Sequence, residues 1–405
     1  MAHTRRDFLR AGLGASALMS LHTAVPSVFA NAVMAAETPA RDRDTVLVMI
    51  QLSGGNDGLN TVVPYADDEY GRNRTTLRLP TAQLHKIDTE LAFHPRMAAF
   101  ARLYQKGRLS IVQGVGYEHP DQSHERAMRI WHTADPQQPE RQTGWLGRVA
   151  DRARGQAQGD ATAVFVGPIA RPFALNAERA IVPCIRAADD LIQRGGPQEM
   201  SRDNAARADD ALLEFMRHRI ATARAKSERI KAAAASDDYP SFGLAGDLRT
   251  IARIIRAKVG IRVFCAELGG GGIGGFDNHA NQLGNHGALL HQLAEALAAF
   301  VRDLDRDKLL DRVVVMTFSE FGRTLKENGR RGTGHGAAAP MFLVGGRVKG
   351  GLVGPHPSLT DLENGSPKCH TDFRQVYATV LEKWLGCNCQ AILGRQFETL
   401  NLFNA

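Results

Sequence analysis

The sequence predicts an α/β fold, a mostly parallel central sheet sandwiched by helices, with a helical insertion at about 187–245. Three observations predict it. Short runs such as Val46–Ile50, Ile261–Glu267 and Val313–Phe318 are dominated by aliphatic and β-branched residues, the mark of strands covered on both faces. Each runs into a loop of glycines, acids, amides or histidine instead of a tight hairpin turn. Helical patterns lie between them: Asp247–Lys258 is amphipathic, and Leu289, Leu290, Leu293, Leu297, Phe300, Val301 and Leu304 recur at three- and four-residue spacing. Strand, helix and strand in that order form a right-handed crossover, which gathers the strand ends on one sheet edge.

Taken in order, the chain starts with Thr4-Arg5-Arg6-Asp7-Phe8-Leu9-Arg10, a paired arginine ahead of an apolar stretch from about Ala11 to Ala30. Ala30, Ala32, Ala35 and Ala36 follow as small residues suited to cleavage, and Ser16, Ser20, His22, Thr23, Pro26 and Ser27 interrupt the run. This predicts a cleaved twin-arginine signal over residues 1–36 and not a retained anchor, with the mature protein beginning between about Asn31 and Glu37. The expected partner during export is the Tat translocase, the expected location periplasmic or secreted, and no stable membrane span is expected after cleavage. Substrates of that route cross already folded, which raises the expectation of a cofactor installed beforehand.

A hydrophobic content of 43% over 405 residues supports a large core, so residues 45–405 are expected to form one α/β domain. Leu109–Gln113 reads as a buried strand, and the loop Gly114–Gln122 leads to Ser123-His124-Glu125-Arg126 at the start of a helix through Trp131. Ala161–Val166 is a further strand. From Ala187 to about Ser236 the composition turns to Ala, Arg, Asp and Glu, a helical segment with a solvated charged face. Met341–Val344 is a short strand, and Asp372–Leu385 a helix packing Phe373, Val376, Tyr377, Val380, Leu381 and Trp384.

The formal charge of +7 admits a small anionic ester as substrate, while the lack of a basic run interleaved with aromatics argues against nucleic acid. Five cysteines allow at most two disulfides in an oxidising compartment, and Cys369 is expected to pair with Cys387 or Cys389. A Cys-x-Cys metal site at Cys387 and Cys389 is the rival reading.

Asp57, Asp277, His279, Glu320 and His335 all stand in strand-end loops and make a mixed oxygen and imidazole set. Such a set suits one or two divalent ions, with zinc, manganese, iron and magnesium the candidates. Asp57 alone reads equally as a turn-former and Asp277 as a helix cap. Ser123 stands at a helix start, where it reads as an N-cap or, beside a metal, as a nucleophile. Arg323 and Arg126 are candidates to pair with an anionic group. Gly270, Gly272 and Gly275 match the Gly-x-Gly-x-x-Gly spacing, but Phe276-Asp277-Asn278-His279 follows where a helix should open, which excludes a dinucleotide loop.

These motifs together resemble a known family, the Tat-exported proteins grouped as domain of unknown function 1501, which are similar to the alkaline phosphatase and sulfatase superfamily. The resemblance rests on the twin-arginine start, Leu52-Ser-Gly-Gly-Asn-Asp-Gly-Leu-Asn60, Ser123-His124, Trp131-His132-Thr133-Ala134, Gly275-Phe-Asp-Asn-His279, Ser319-Glu-Phe-Gly-Arg-Thr324 and Gly332-Thr-Gly-His-Gly336. It implies an alkaline-phosphatase-like fold and a functional order of Asp57, Ser123, Asp277 with His279, Glu320 and His335. Glu320-Phe321 stands where phosphatases of the superfamily carry an Asp-His pair, which removes one nitrogen ligand. No Cys/Ser-x-Pro-x-Arg motif is present, which argues against a standard formylglycine sulfatase. The expectation is a metal-dependent hydrolase of phosphate or related esters; the alternatives are a non-hydrolytic metal-binding envelope or assembly protein, and a metal-dependent redox or maturation protein.

Overall fold

A computed structural model describes residues 44–154, 161–192, 210–270 and 275–404. The proposed signal segment, residues 193–209 of the helical insertion and Gly272 lie outside the described residues. The central sheet contains β1 (Val46–Leu52), β2 (Leu109–Gly116), β3 (Ala163–Val166), β4 (Cys184–Ile185), β5 (Val263–Leu268), β6 (Val313–Phe318), β7 (Ala339–Gly345), β8 (Gly351–Val353) and β9 (Thr371–Asp372). Their order is β8-β2-β7-β6-β1-β5-β3-β4, with β9 also pairing with β2.

β1 pairs in parallel with both β5 and β6, so the expected crossover passes over β1 and its two strands flank it. β7 is antiparallel to β6 and to β2. That single reversal restores β2 to the direction of β1, and the remaining pairs are parallel. The C-terminal ends of β1, β2, β5 and β6 therefore share one edge, which is how loops far apart in sequence come to meet.

Every residue of β1, β2 and β6 is buried, as their apolar runs require. Val48, Ile50 and Leu52 of β1 face one core, shared with helices α1 (Ala98–Gln105), α5 (Gly243–Ala257) and α6 (Gln282–Arg306). Leu47 and Met49 face a second core containing Trp131 of α2 (His124–Thr133), Trp145 of α3 (Trp145–Arg154) and Tyr377 of α7 (Phe373–Thr379). Asp210–Ala232, α4, lies along α5, with Ala223 and Ile230 in the first core. Helices on both faces of a mostly parallel sheet are the architecture expected.

Several boundaries differ from expectation. β2 runs on to Gly116, and β7 spans Ala339–Gly345, because the neighbouring strands supply ladder partners beyond the apolar runs. The expected helix 372–385 changes at Val380 into a π-helix through Leu385, ended by Gly386 in the left-handed conformation. The expected disulfide does not form: all five cysteines are free thiols. Cys369 lies against Gly116 at the end of β2, whereas Cys389 is buried among the side chains of the second core. Among the described residues no helix is long and apolar enough to cross a membrane.

Candidate metal centre

The loop after β1 is built to be approached closely. Gly54 and Gly55 have φ of +114° and +78°, a conformation L side chains rarely adopt, and a Cβ on Gly54 would lie 2.5 Å from the Asp277 backbone nitrogen. The loop after β5 takes that space, and Phe276 N–H donates to the Ser53 carbonyl at 2.9 Å. Arg323, 2% exposed, ties both loops from below. Its Nε donates to the Gly55 carbonyl at 2.7 Å, and its Nη2 donates to the Gly54 carbonyl, to Phe276 O at 3.1 Å and to Asp277 Oδ1 at 2.7 Å.

Three imidazoles gather on that Asp277 oxygen. His279 Nε2 is 2.9 Å from it, His335 Nε2 3.3 Å and His124 Nε2 3.4 Å. His279 and His335 bring their Nε2 atoms within 2.9 Å of each other. The far side of two of the rings is held: His124 Nδ1 lies 2.9 Å from Glu320 Oε1 and His335 Nδ1 2.6 Å from the Gln122 carbonyl. Partners at Nδ1 fix the tautomer and turn Nε2 inward, the usual support of an imidazole ligand. The Phe321 ring packs against His335 and His124, at 4.7 and 4.9 Å between centroids.

The charges fit the same reading. Burial would raise the Asp277 carboxyl, but the Arg323 hydrogen bond and charge, with the imidazoles, hold it below its usual range. The Glu320 hydrogen bond raises His124, whereas burial lowers His279.

Whether these residues fit a metal ion is decided by one atom. His124 Nε2 is buried and has no hydrogen-bond partner, although it faces Asp277. A buried polar atom left unsatisfied is costly, and an ion would satisfy it. His124, Asp277 and His335 each offer a ligand atom, all within 4.8 Å of one another. Two imidazoles and one carboxylate, with His279 beside them, suit zinc, iron or manganese; magnesium prefers an oxygen shell.

The structure thus brings together Asp277, His279 and His335, and it places the five other candidate residues as follows. Asp57 does not reach the cluster: its carboxylate is 2% exposed and bound at both oxygens by Arg74, at 2.6 and 3.0 Å, with Gln282 as a third donor. Glu320 is adjacent and buried, accepting from Gly54 N–H at 2.8 Å and supporting His124 from behind. Arg323 is spent on backbone carbonyls and Asp277, so it orients a carboxylate instead of meeting substrate. Ser123 is exposed, its hydroxyl makes no capping bond, and no described contact links it to the cluster. Arg126 pairs with Asp121 at 3.2 Å.

Sequence reasoning missed His124 as a ligand. It follows a strand-end loop like the others, but Ser123 beside it carries the stronger sequence signal.

Imidazoles and a carboxylate converging at the strand ends of an α/β sheet make a candidate metal site. The chain belongs to the family described as "Protein of unknown function (DUF1501)", whose profile matches residues 44–396. No curated protein matches the chain. Among solved structures it is similar to the C-terminal periplasmic domain of EcEptC from Escherichia coli in complex with Zn, at 9% identity over 76% of this chain and 77% of that chain, with a TM-score of 0.38. It is also similar to a protein in the alkaline phosphatase superfamily from Vibrio parahaemolyticus, at 11% identity over 91% and 76%, TM-score 0.37. Alkaline phosphatase from the Antarctic bacterium TAB5 matches at 10% identity over 75% and 92%, TM-score 0.32. Likenesses this distant say nothing of chemistry.

Proposed function

We propose that the protein is a metal-dependent hydrolase of phosphate or related anionic esters, exported by the twin-arginine route and active in the periplasm or beyond. The observation that carries the reading is the buried, unpartnered Nε2 of His124 facing Asp277 and His335. His124, Asp277 and His335 would hold the ion, with His279 beside them, and zinc is the first choice for this donor set. When bound, the ion supplies Lewis acidity toward an ester oxygen. Within the cluster a dication and Arg323 outweigh the carboxylates of Asp277 and Glu320, so the site keeps a positive charge that favours an anionic substrate.

The chain's own residues do the positioning. Glu320 and the Gln122 carbonyl set the imidazole tautomers, Arg323 aims Asp277, and Phe321 packs against the rings of His335 and His124. One observation favours a second reading, a metal-binding protein without turnover: Arg323, the cation nearest the cluster, is fully engaged.

Protein stripped with chelator and reloaded with zinc or manganese is assayed on 4-nitrophenyl phosphate, bis(4-nitrophenyl) phosphate and 4-nitrophenyl sulfate. The hydrolase reading expects metal-dependent turnover that H124A abolishes. Stoichiometric metal with no ester turned over would leave the binding protein. Export is checked separately: replacing Arg5 and Arg6 by Lys should hold precursor in the cytoplasm, and undiminished export would refute the route.

A further inference from the structure

A second constellation on the same sheet edge takes no part in holding the ion. Gln51 and Ser53 lie two residues apart at the end of β1, and Glu267 of β5 stands opposite Gln51 in register. His132, near the end of α2, brings Nε2 within 2.6 Å of Gln51 Oε1. Gln51 Nε2 lies 2.7 Å from Ser53 Oγ and 3.4 Å from Glu267 Oε1, and the Ser53 hydroxyl donates to Glu267 Oε1.

The direction of each proton follows from the chemistry of the ends. A carboxylate accepts, so Gln51 must turn its amide nitrogen to Glu267 and its oxygen to His132, which then donates from Nε2. Ser53 Oγ receives the Gln51 N–H, and its own proton goes to Glu267. A hydroxyl with a base in hydrogen-bond reach, both oriented by a third group, is the arrangement of an activated nucleophile.

Two observations distinguish this group from a structural strut. Glu267 Oε2 is buried with no hydrogen-bond partner, whereas the structural carboxylate of Asp57 has both oxygens bound. Gly270 also leaves the carboxylate its room, since a Cβ there would sit 1.8 Å from Glu267 Oε1. Ser53 borders the metal cluster as well: the next residue, Gly54, donates its N–H to the same Glu320 oxygen that holds His124.

We propose that Ser53 is the nucleophile of this site and Glu267 its base, acting at the phosphorus of an anionic ester; the proposal rests on the hydrolase reading above. Ser53 Oγ forms the bond to phosphorus as its proton passes to Glu267 Oε1. The phosphorus–oxygen bond to the leaving alcohol breaks, and that oxygen takes the proton from Glu267. Water then attacks the phosphoserine and gives a proton to Glu267; the serine oxygen leaves, recovers that proton, and inorganic phosphate is released.

The test uses the metal-free full chain and a fluorophosphonate, to which a serine oxygen adds at phosphorus as fluoride leaves, with adducts located by peptide mass spectrometry. The expected result is an adduct on Ser53, formed at least about tenfold more slowly in E267Q and in G270A, and at an unchanged rate in S123A. Melting temperatures of the variants are recorded alongside, so that loss of labelling is scored on folded protein only. Labelling of Ser123 with Ser53 unmodified, no labelled serine in the folded chain, or equal rates at Ser53 in wild type and E267Q would overturn the assignment. The reagent needs no ion, so the two readings fail separately. Ser53 labelling without metal-dependent turnover breaks the hydrolase reading, while full ester turnover in S53A breaks the nucleophile.

Discussion

Asp57 and Asp277 come from the same local grammar, an acid in a Gly-rich loop after a central strand, and they end in opposite roles. Asp57 is sealed: Arg74, itself fully buried, binds both oxygens, and the pair's electrostatics overcome the cost of burial to bring the carboxyl down to about 2. Asp277 keeps a side chain 43% exposed and shares one oxygen among Arg323 and three imidazoles. A strand-end carboxylate becomes a strut when one guanidinium claims both of its oxygens, and a candidate site when imidazoles crowd around one of them and the side chain stays partly exposed.

The sharpest way to break this contrast is to remove each acid in turn. D57A leaves Arg74 buried and uncompensated and should cost about 3–5 kcal/mol in a urea titration, while the folded protein still binds one ion. D277N should do the reverse, weakening metal affinity by more than about 100-fold, beyond the loss an outer partner causes, because Arg323 keeps its carbonyl partners and the fold survives. Equal metal loss in both variants would erase the distinction. E320Q is expected between them, at about 10–100-fold in metal affinity by competition titration, since it acts through His124.

Acid tests the buried side of the comparison. Burial keeps His94, His132 and His286 neutral, with values lowered to about 3, 3 and 4 from an ordinary 6.5. The unfolded chain takes up protons below about pH 6.5 while the folded chain does not, so stability is complete above that pH and falls as pH drops toward 4 and 3. Each histidine contributes up to about 1.4 kcal/mol per pH unit, which the urea midpoint of metal-free protein at pH 7.5 and pH 5 will show. The smallest effect belongs to S123A: with no capping bond to lose, it should shift stability by less than about 0.5 kcal/mol. A loss nearer 2 kcal/mol would restore the cap.

The sheet was legible because fully apolar runs announce strands buried on both faces, and Val313–Phe318 is found at the expected limits. Asp277, His279 and His335 were legible for a related reason, since parallel topology sends strand-end loops to one edge. The pairing of Asp57 is not legible in the sequence because its partner, Arg74, lies 17 positions on, and no periodicity marks a buried ion pair. His124 was hidden by its neighbour: a serine before a helix reads as cap or nucleophile, and only the turn of α2 shows which side chain enters the cluster. Glu267 reads in the sequence as the end of a strand, and its bond to Ser53 depends on register between β1 and β5, which composition does not encode.

His124 and His335, with Asp277, are proposed to hold one divalent ion at this edge. X-ray absorption at the zinc edge of reconstituted protein tests it most directly. The expected spectrum shows one ion per chain in a nitrogen and oxygen shell at about 2.0–2.1 Å, with imidazole scattering from at least two rings that weakens in H124A. A shell of oxygen alone, or a spectrum unchanged in H124A, would contradict it.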